Sequence, residues 1–136
     1  MTIEELKNYR KLTYTIRYWR NELELLKKES YVRSPSLSGM PGSGDIKDPT
    51  GERALKESKV MEWIERLVQE QQRERDRILD WIETIDDPLV QAIMYARYIR
   101  QKSWAAVAHA VGGSNTPDGV RKIHFRYLSV LSGSNK

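Results

Sequence analysis

Leu12, Ile16, Trp19, Leu23 and Leu26 alternate spacings of four and three, and Tyr9 falls in the same register. Two apolar positions per seven residues line one side of a helix, which is the seam of a coiled coil. Thr2 with Glu5 three residues later supplies a capping-box start, so the pattern predicts one long helix over residues 2–29. A second long helix is expected from Asp48-Pro49-Thr50 to about Ile85. Val60, Ile64, Leu67, Gln71, Glu74, Ile78, Trp81 and Ile85 carry a similar repeat along it, and Met61 and Val68 widen its first half. The stretch from Glu70 to Arg77 is polar on every face, which marks a solvated helix or a weak point in the seam. At 1.5 Å per residue, about 34 residues extend roughly 50 Å, more than the width of a compact domain. Such a helix projects, pairs or kinks. Two of them form an antiparallel hairpin, a dimer, or both, and the seam serves either packing on its own chain or oligomerisation.

Between these helices the character changes. Ser34-Pro35-Ser36-Leu37-Ser38-Gly39-Met40-Pro41-Gly42-Ser43-Gly44 is nearly all turn formers, and a flexible linker is expected over residues 31–51. Leu37 and Met40 are apolar islands that a pure spacer does not need; they suit docking on a partner or on the chain itself. The glycines lack the preceding strand and the following Gly-Lys-Ser/Thr of a phosphate loop.

After Asp86 the pattern predicts three short helices. Asp87 caps the first and Pro88 fills its first position, with Leu89, Ile93, Ala96 and Ile99 recurring at helical spacing up to Gln101-Lys102. Ser103 caps the second, whose inner face is Trp104, Val107, Ala108 and Val111. Gly112-Gly113 ends it, and Thr116-Pro117 starts the third, with Val120, Ile123, Tyr127 and Leu131 as its buried stripe. A small residue four positions before a glycine corner is the pattern of a helix-turn-helix, which presents its last helix to the DNA major groove. The expected architecture is all-α: two long helices, as a hairpin or coiled coil, plus a C-terminal three-helix helix-turn-helix module. The expected boundaries are 1–30, 31–51, 52–86 and 87–136.

Charge supports this. The 136-residue chain holds 23 basic and 19 acidic residues, for a net charge of +4. Residues 88–136 contain Arg97, Arg100, Lys102, Arg121, Lys122, Arg126 and Lys136 against one acid, Asp118, a local charge of +6 that leaves −2 for residues 1–87. A basic end on a near-neutral body is the footprint of phosphate binding, because each cation that meets a phosphate releases counterions. There is no cysteine, so no disulfide framework or thiolate metal site, which fits a reducing cytoplasm. No apolar run is long enough for a membrane span, and the acidic start is unlike a signal peptide.

The run Ser34 to Gly44 with Asp48-Pro49-Thr50, the long charged helix, and Ser103-Trp104-Ala105-Ala106-Val107-Ala108 through Val120-Arg121 together resemble the small phage-encoded transcription regulators of Gram-positive hosts, of the RinA/ArpU type. The last stretch is similar to the helix-turn-helix of sigma-70 region 4. The resemblance covers nearly the whole chain. It implies a phage or prophage protein that activates late genes by binding promoter DNA in the bacterial cytoplasm, with host RNA polymerase as a possible further partner. Gly112 to Val120 is about two residues longer than the usual turn and helix start, which leaves open which of Ser114, Asn115, Thr116 and Asp118 reach a base edge.

On this reading Arg121, Lys122 and Arg126 supply the electrostatic attraction. Thr116 and the amides at the start of the third helix grip a phosphate. Asn115 suits adenine, and Arg121 or Lys122 guanine. Asp118 suits cytosine or simply stabilises the helix dipole. Phe125 touches a thymine methyl or packs beneath the first helix, and Ser103 completes the set. Leu12, Ile16, Trp19, Leu23, Leu26, Val60, Ile64 and Leu67 are the candidate oligomerisation residues, with a dimer favoured because one such module binds DNA weakly. Two other readings fit the same pattern: a phage small terminase subunit that marks DNA for packaging, and a polymerase-binding factor that never reads DNA. An enzyme is not expected, nor a cofactor or metal. His109 and His124 have no partner at metal-ligand spacing, and no serine has a nucleophile's setting.

Overall fold

The computed structural model describes residues 1–33 and 49–133. Helix α1 is Ile3–Arg33, α2 is Pro49–Glu83, α3 is Pro88–Met94, α4 is Trp104–Val111 and α5 is Pro117–Gly133. There is no strand among the described residues, so the class is all-helical. Helix α1 runs past the expected end at residue 29, and α2 opens at Pro49. The span expected as linker is therefore helical at both margins. Its centre, with Leu37 and Met40, lies outside the described residues.

Contacts divide the chain into two compact units that cut across both long helices rather than following the expected boundaries. One unit is Leu12–Glu70. Here Arg53 Nη1 donates to the Glu29 carbonyl at 2.8 Å, and Trp63 stands edge-on against Trp19 with centroids 5.0 Å apart. Moving from Glu29 back to Trp19 on α1 corresponds to moving from Arg53 forward to Trp63 on α2, so the pair is antiparallel. Ile16 and Val60 are buried, and Leu12, Trp19, Leu23, Leu26, Ile64 and Leu67 are half-buried. The seam positions thus pack within this chain.

The other unit joins Met1–Lys11 to Gln71–Lys136. It holds two apolar clusters. The first packs Leu6 and Tyr9 of α1 on Ile78, Ile82 and Ile85, with Val90, Met94, Tyr98, Ile99 and Leu128. The second joins Ile93, Ala96, Val107, Ala108 and Val120. Fully burying one such aliphatic side chain stabilises by roughly 1.5–3 kcal/mol, whereas exposed ion pairs like Glu5–Arg77, at 3.6 Å, contribute about 0–1 kcal/mol. The apolar clusters therefore set the fold of this unit.

Its joints are built locally. Gln91 Nε2 donates to the Ile82 carbonyl at 3.0 Å, satisfying an open end of α2. Asp87 Oδ1 accepts from the Leu89 and Val90 amides, the cap expected from sequence. The expected plain first helix differs after Met94: Tyr95–Ile99 forms a π-helical turn, with Arg100 N–H reaching the Tyr95 carbonyl. Gln101 then takes a left-handed φ of 56°, and Lys102 N–H closes back on the Ala96 carbonyl at 3.0 Å. The Gln101 side chain bonds the Tyr9 hydroxyl, tying this corner to α1.

Candidate functional site

Helix α4 begins where Ser103 Oγ accepts from the Ala106 amide at 3.2 Å. It ends at Gly112, whose φ of 71° and ψ of −162° suit only glycine, and whose N–H returns to the Ala108 carbonyl at 3.1 Å. Gly113 follows with φ of 66°. Asn115 Nδ2 donates to the Gly112 carbonyl at 2.8 Å, and Thr116 Oγ1 accepts from the Gly119 amide at 3.0 Å. Two glycines, one amide side chain and one hydroxyl thus fix the passage from α4 into α5.

Val107, Ala108 and Val120 close the inner side of this corner against Ile93 and Ala96. The small Ala108 leaves the space for that close crossing. On α5 the deepest residues are Val120, His124 and Leu128, while Ile123, Tyr127 and Leu131 are half-buried. The buried stripe is turned by one position from the expected Val120, Ile123, Tyr127 and Leu131.

Turning the stripe leaves Arg121, Lys122, Phe125, Arg126, Ser129 and Val130 exposed on the opposite side of α5. Asp118 pairs with Lys122 at 3.1 Å and with Arg121 at 3.5 Å, and Lys122 foremost holds its carboxyl below the usual carboxylate range. These pairs lie within one helix and are solvent-exposed, so they yield readily to a stronger anion. Arg126 makes no ion pair among the described residues.

The remaining expected residues are placed differently. Asn115 is half-buried and spends its amide donor on the turn, so it is not poised to read a base. Ser103 and Thr116 act as caps. Phe125 is 38% exposed and packs partly on Trp104, with centroids 6.3 Å apart, so it both supports and faces outward. Val130, 63% exposed, extends the outward side and was absent from the expected set; a four-residue step from Arg126 would have found it.

Beneath α5 lies an aromatic and cationic layer that periodicity does not reveal. The Arg97 guanidinium sits 4.1 Å over the Trp104 ring, and its Nη1 donates to the Lys102 carbonyl at 2.9 Å. Trp104 meets His124 edge-on at 4.9 Å, and His124 Nε2 shares a short hydrogen bond with the Tyr98 hydroxyl. His124 Nδ1 is buried without a hydrogen-bond partner among the described residues. Burial pushes His124 down to about 4, with the Arg97 charge adding to the effect, and burial pushes Tyr98 up to about 12. Both groups are thus neutral at pH 7. They serve as packing and hold α5 against the π turn and α4.

Among the described residues, no group of three or more His, Cys, Asp or Glu is placed to hold a metal ion, and no helix is long and apolar enough to cross a membrane. Family models, curated proteins and solved structures offer no match to this chain.

Proposed function

We propose that the chain is a sequence-specific DNA-binding protein of a phage or prophage, similar to the RinA/ArpU regulators. In this reading α4 and α5 act as a helix-turn-helix, and α5 enters the major groove. The observation that carries it is the outward side of α5: Arg121, Lys122 and Arg126 stand exposed on a helix whose inner side is buried. Arg126 and Lys122 meet phosphates or guanine edges; Val130 and the exposed part of Phe125 suit thymine methyls. Promoter activation, with contact to host RNA polymerase, is the job proposed for the bound protein, and self-association provides the second half-site.

A binding selection on fragments of the source genome, followed by titration of the selected duplex, tests this. Arg126→Ala should weaken binding and lower the magnitude of the salt slope by about 0.9, the loss of one phosphate contact. An unchanged slope removes α5 from the interface. A selected site at a packaging start, with a ring-sized assembly, points instead to a small terminase subunit. Polymerase pull-down without salt-sensitive DNA affinity points to a polymerase-binding factor.

A further inference from the structure

The hairpin of Leu12–Glu70 has a side that its own seam does not use. Tyr18, Glu22, Leu25 and Glu29 follow one another at four, three and four residues along α1, forming one stripe that is aromatic, aliphatic and acidic. Tyr18 is 59% and Leu25 52% exposed. Lys56, Lys59, Trp63 and Arg66 form the equivalent stripe on α2, basic around a tryptophan that is 40% exposed. Glu52 and Glu70 bound this basic stretch one turn away at either end. Trp19 joins the stripes: Tyr18 lies edge-on to it at 5.0 Å from one helix and Trp63 at 5.0 Å from the other.

The two stripes carry opposite charge, yet Glu22, Lys56, Lys59 and Arg66 form no ion pair among the described residues. Among the described residues of the hairpin, only Ile16 and Val60 are buried. Two helices alone rarely bury enough to be stable, and four-helix packing is the usual solution. Each stripe is the complement of the other rather than of itself. A two-fold axis satisfies both at once, since it repeats every contact, and it sets acid on base twice. Laying α1 on α1 would oppose Glu22 and Glu29 to one another, which disfavours that register. Exposed Trp and Tyr are the side chains that anchor such interfaces.

We propose that a second copy of this chain docks here, α1 of each copy lying on α2 of the other, with Glu22 and Glu29 meeting Lys56, Lys59 and Arg66 around Trp63. The surface gives the self-association invoked above a location, and it does not depend on the DNA reading.

Sedimentation equilibrium of the full chain tests it. The wild type should be a dimer. Lys59→Glu with Arg66→Glu makes both stripes acidic, and Glu22→Lys with Glu29→Lys makes both basic. Each double variant should be a monomer where the wild type is a dimer, and an equimolar mixture should restore association as a heterodimer. A monomeric wild type overturns the proposal, whether the stripes are covered by another part of the chain or by nothing. So do variants that dimerise like the wild type, or a mixture that fails to associate. If circular dichroism shows that charge reversal unfolds the hairpin, the neutral pair Glu22→Gln with Glu29→Gln decides: its dimer dissociation constant should rise by about tenfold, and no change overturns the proposal. Titrating the same variants with a single half-site duplex separates the two readings. Monomeric variants that keep half-site affinity leave both readings standing; monomeric variants of a wild-type dimer that itself binds no half-site leave the dimer standing and remove the α5 interface.

Discussion

Gly112→Ala isolates the backbone energy of the α4–α5 corner. At φ of 71° and ψ of −162° the glycine occupies a region that residues with a Cβ hardly enter. A Cβ built there meets nothing within 4 Å, so no neighbour has to move and no contact is gained. The whole penalty is local strain, about 1–3 kcal/mol if α4 keeps its present end. For a domain of this size that lowers Tm by roughly 2–10 °C. Two other glycines calibrate the scale. Gly113→Ala, at φ of 66° with only Asn115 Nδ2 at 3.9 Å, meets ordinary left-handed strain of about 1–2 kcal/mol. Gly119→Ala would place its Cβ 2.9 Å from Thr116 Oγ1 and disturb that cap, but alanine favours the helix by about 1 kcal/mol, so the net effect is smaller. Urea unfolding, followed by Trp fluorescence and far-ultraviolet circular dichroism, should rank the losses in the order Gly112, Gly113, Gly119. A Gly112→Ala protein with an unchanged midpoint would refute the corner's geometry, and with it the placement of α5.

Two further outcomes follow from the charges around α5. His124 is held near 4 in the fold and returns to 6.5 when unfolded, so the unfolded chain binds the extra proton between those values. Stability is therefore full above pH 6.5 and falls by about 3 kcal/mol as pH drops to 4; His124→Gln should flatten that part of the stability–pH curve, and an unchanged slope would show that another group titrates there. Asp118→Asn removes the one carboxylate beside Arg121 and Lys122, so duplex affinity should rise and the salt slope steepen; fluorescence anisotropy that shows weaker binding would instead assign Asp118 a direct base contact.

Much of the helical framework was legible. Asp87-Pro88, Ser103 and Thr116-Pro117 each carry a cap with a local physical cause, and Gly112-Gly113 marks a corner that takes positive φ twice in succession. The seam of α1 and α2 was visible as a period, but a period cannot say which partner fills it. Arg53 on the Glu29 carbonyl and Trp63 on Trp19 answer that within the chain. The site was read less well. Asn115 looks like a base reader as a residue type, yet its amide is drawn to a carbonyl three residues back. His124 counts as polar in any hydrophobic pattern, so the stripe on α5 was set one position off. The layer of Arg97, Trp104, His124 and Tyr98 joins residues up to 27 apart in sequence, a separation that no local spacing reports. The π turn had no signal of its own, because Tyr95–Ile99 holds no glycine or proline and fits an ordinary helix equally well.

That widened turn has a mechanical consequence. Ala96, Tyr98 and Ile99 all point inward from it, and they do not go to the same place: Ala96 joins Ile93 under α4, whereas Tyr98 and Ile99 join Met94 against Leu6 and Leu128. One short segment is thereby a shared wall between two rooms. Loosening either room shifts the wall of the other, so the two should open together rather than in sequence, and a ligand that clamps α5 from outside would quieten the far side of the unit as well.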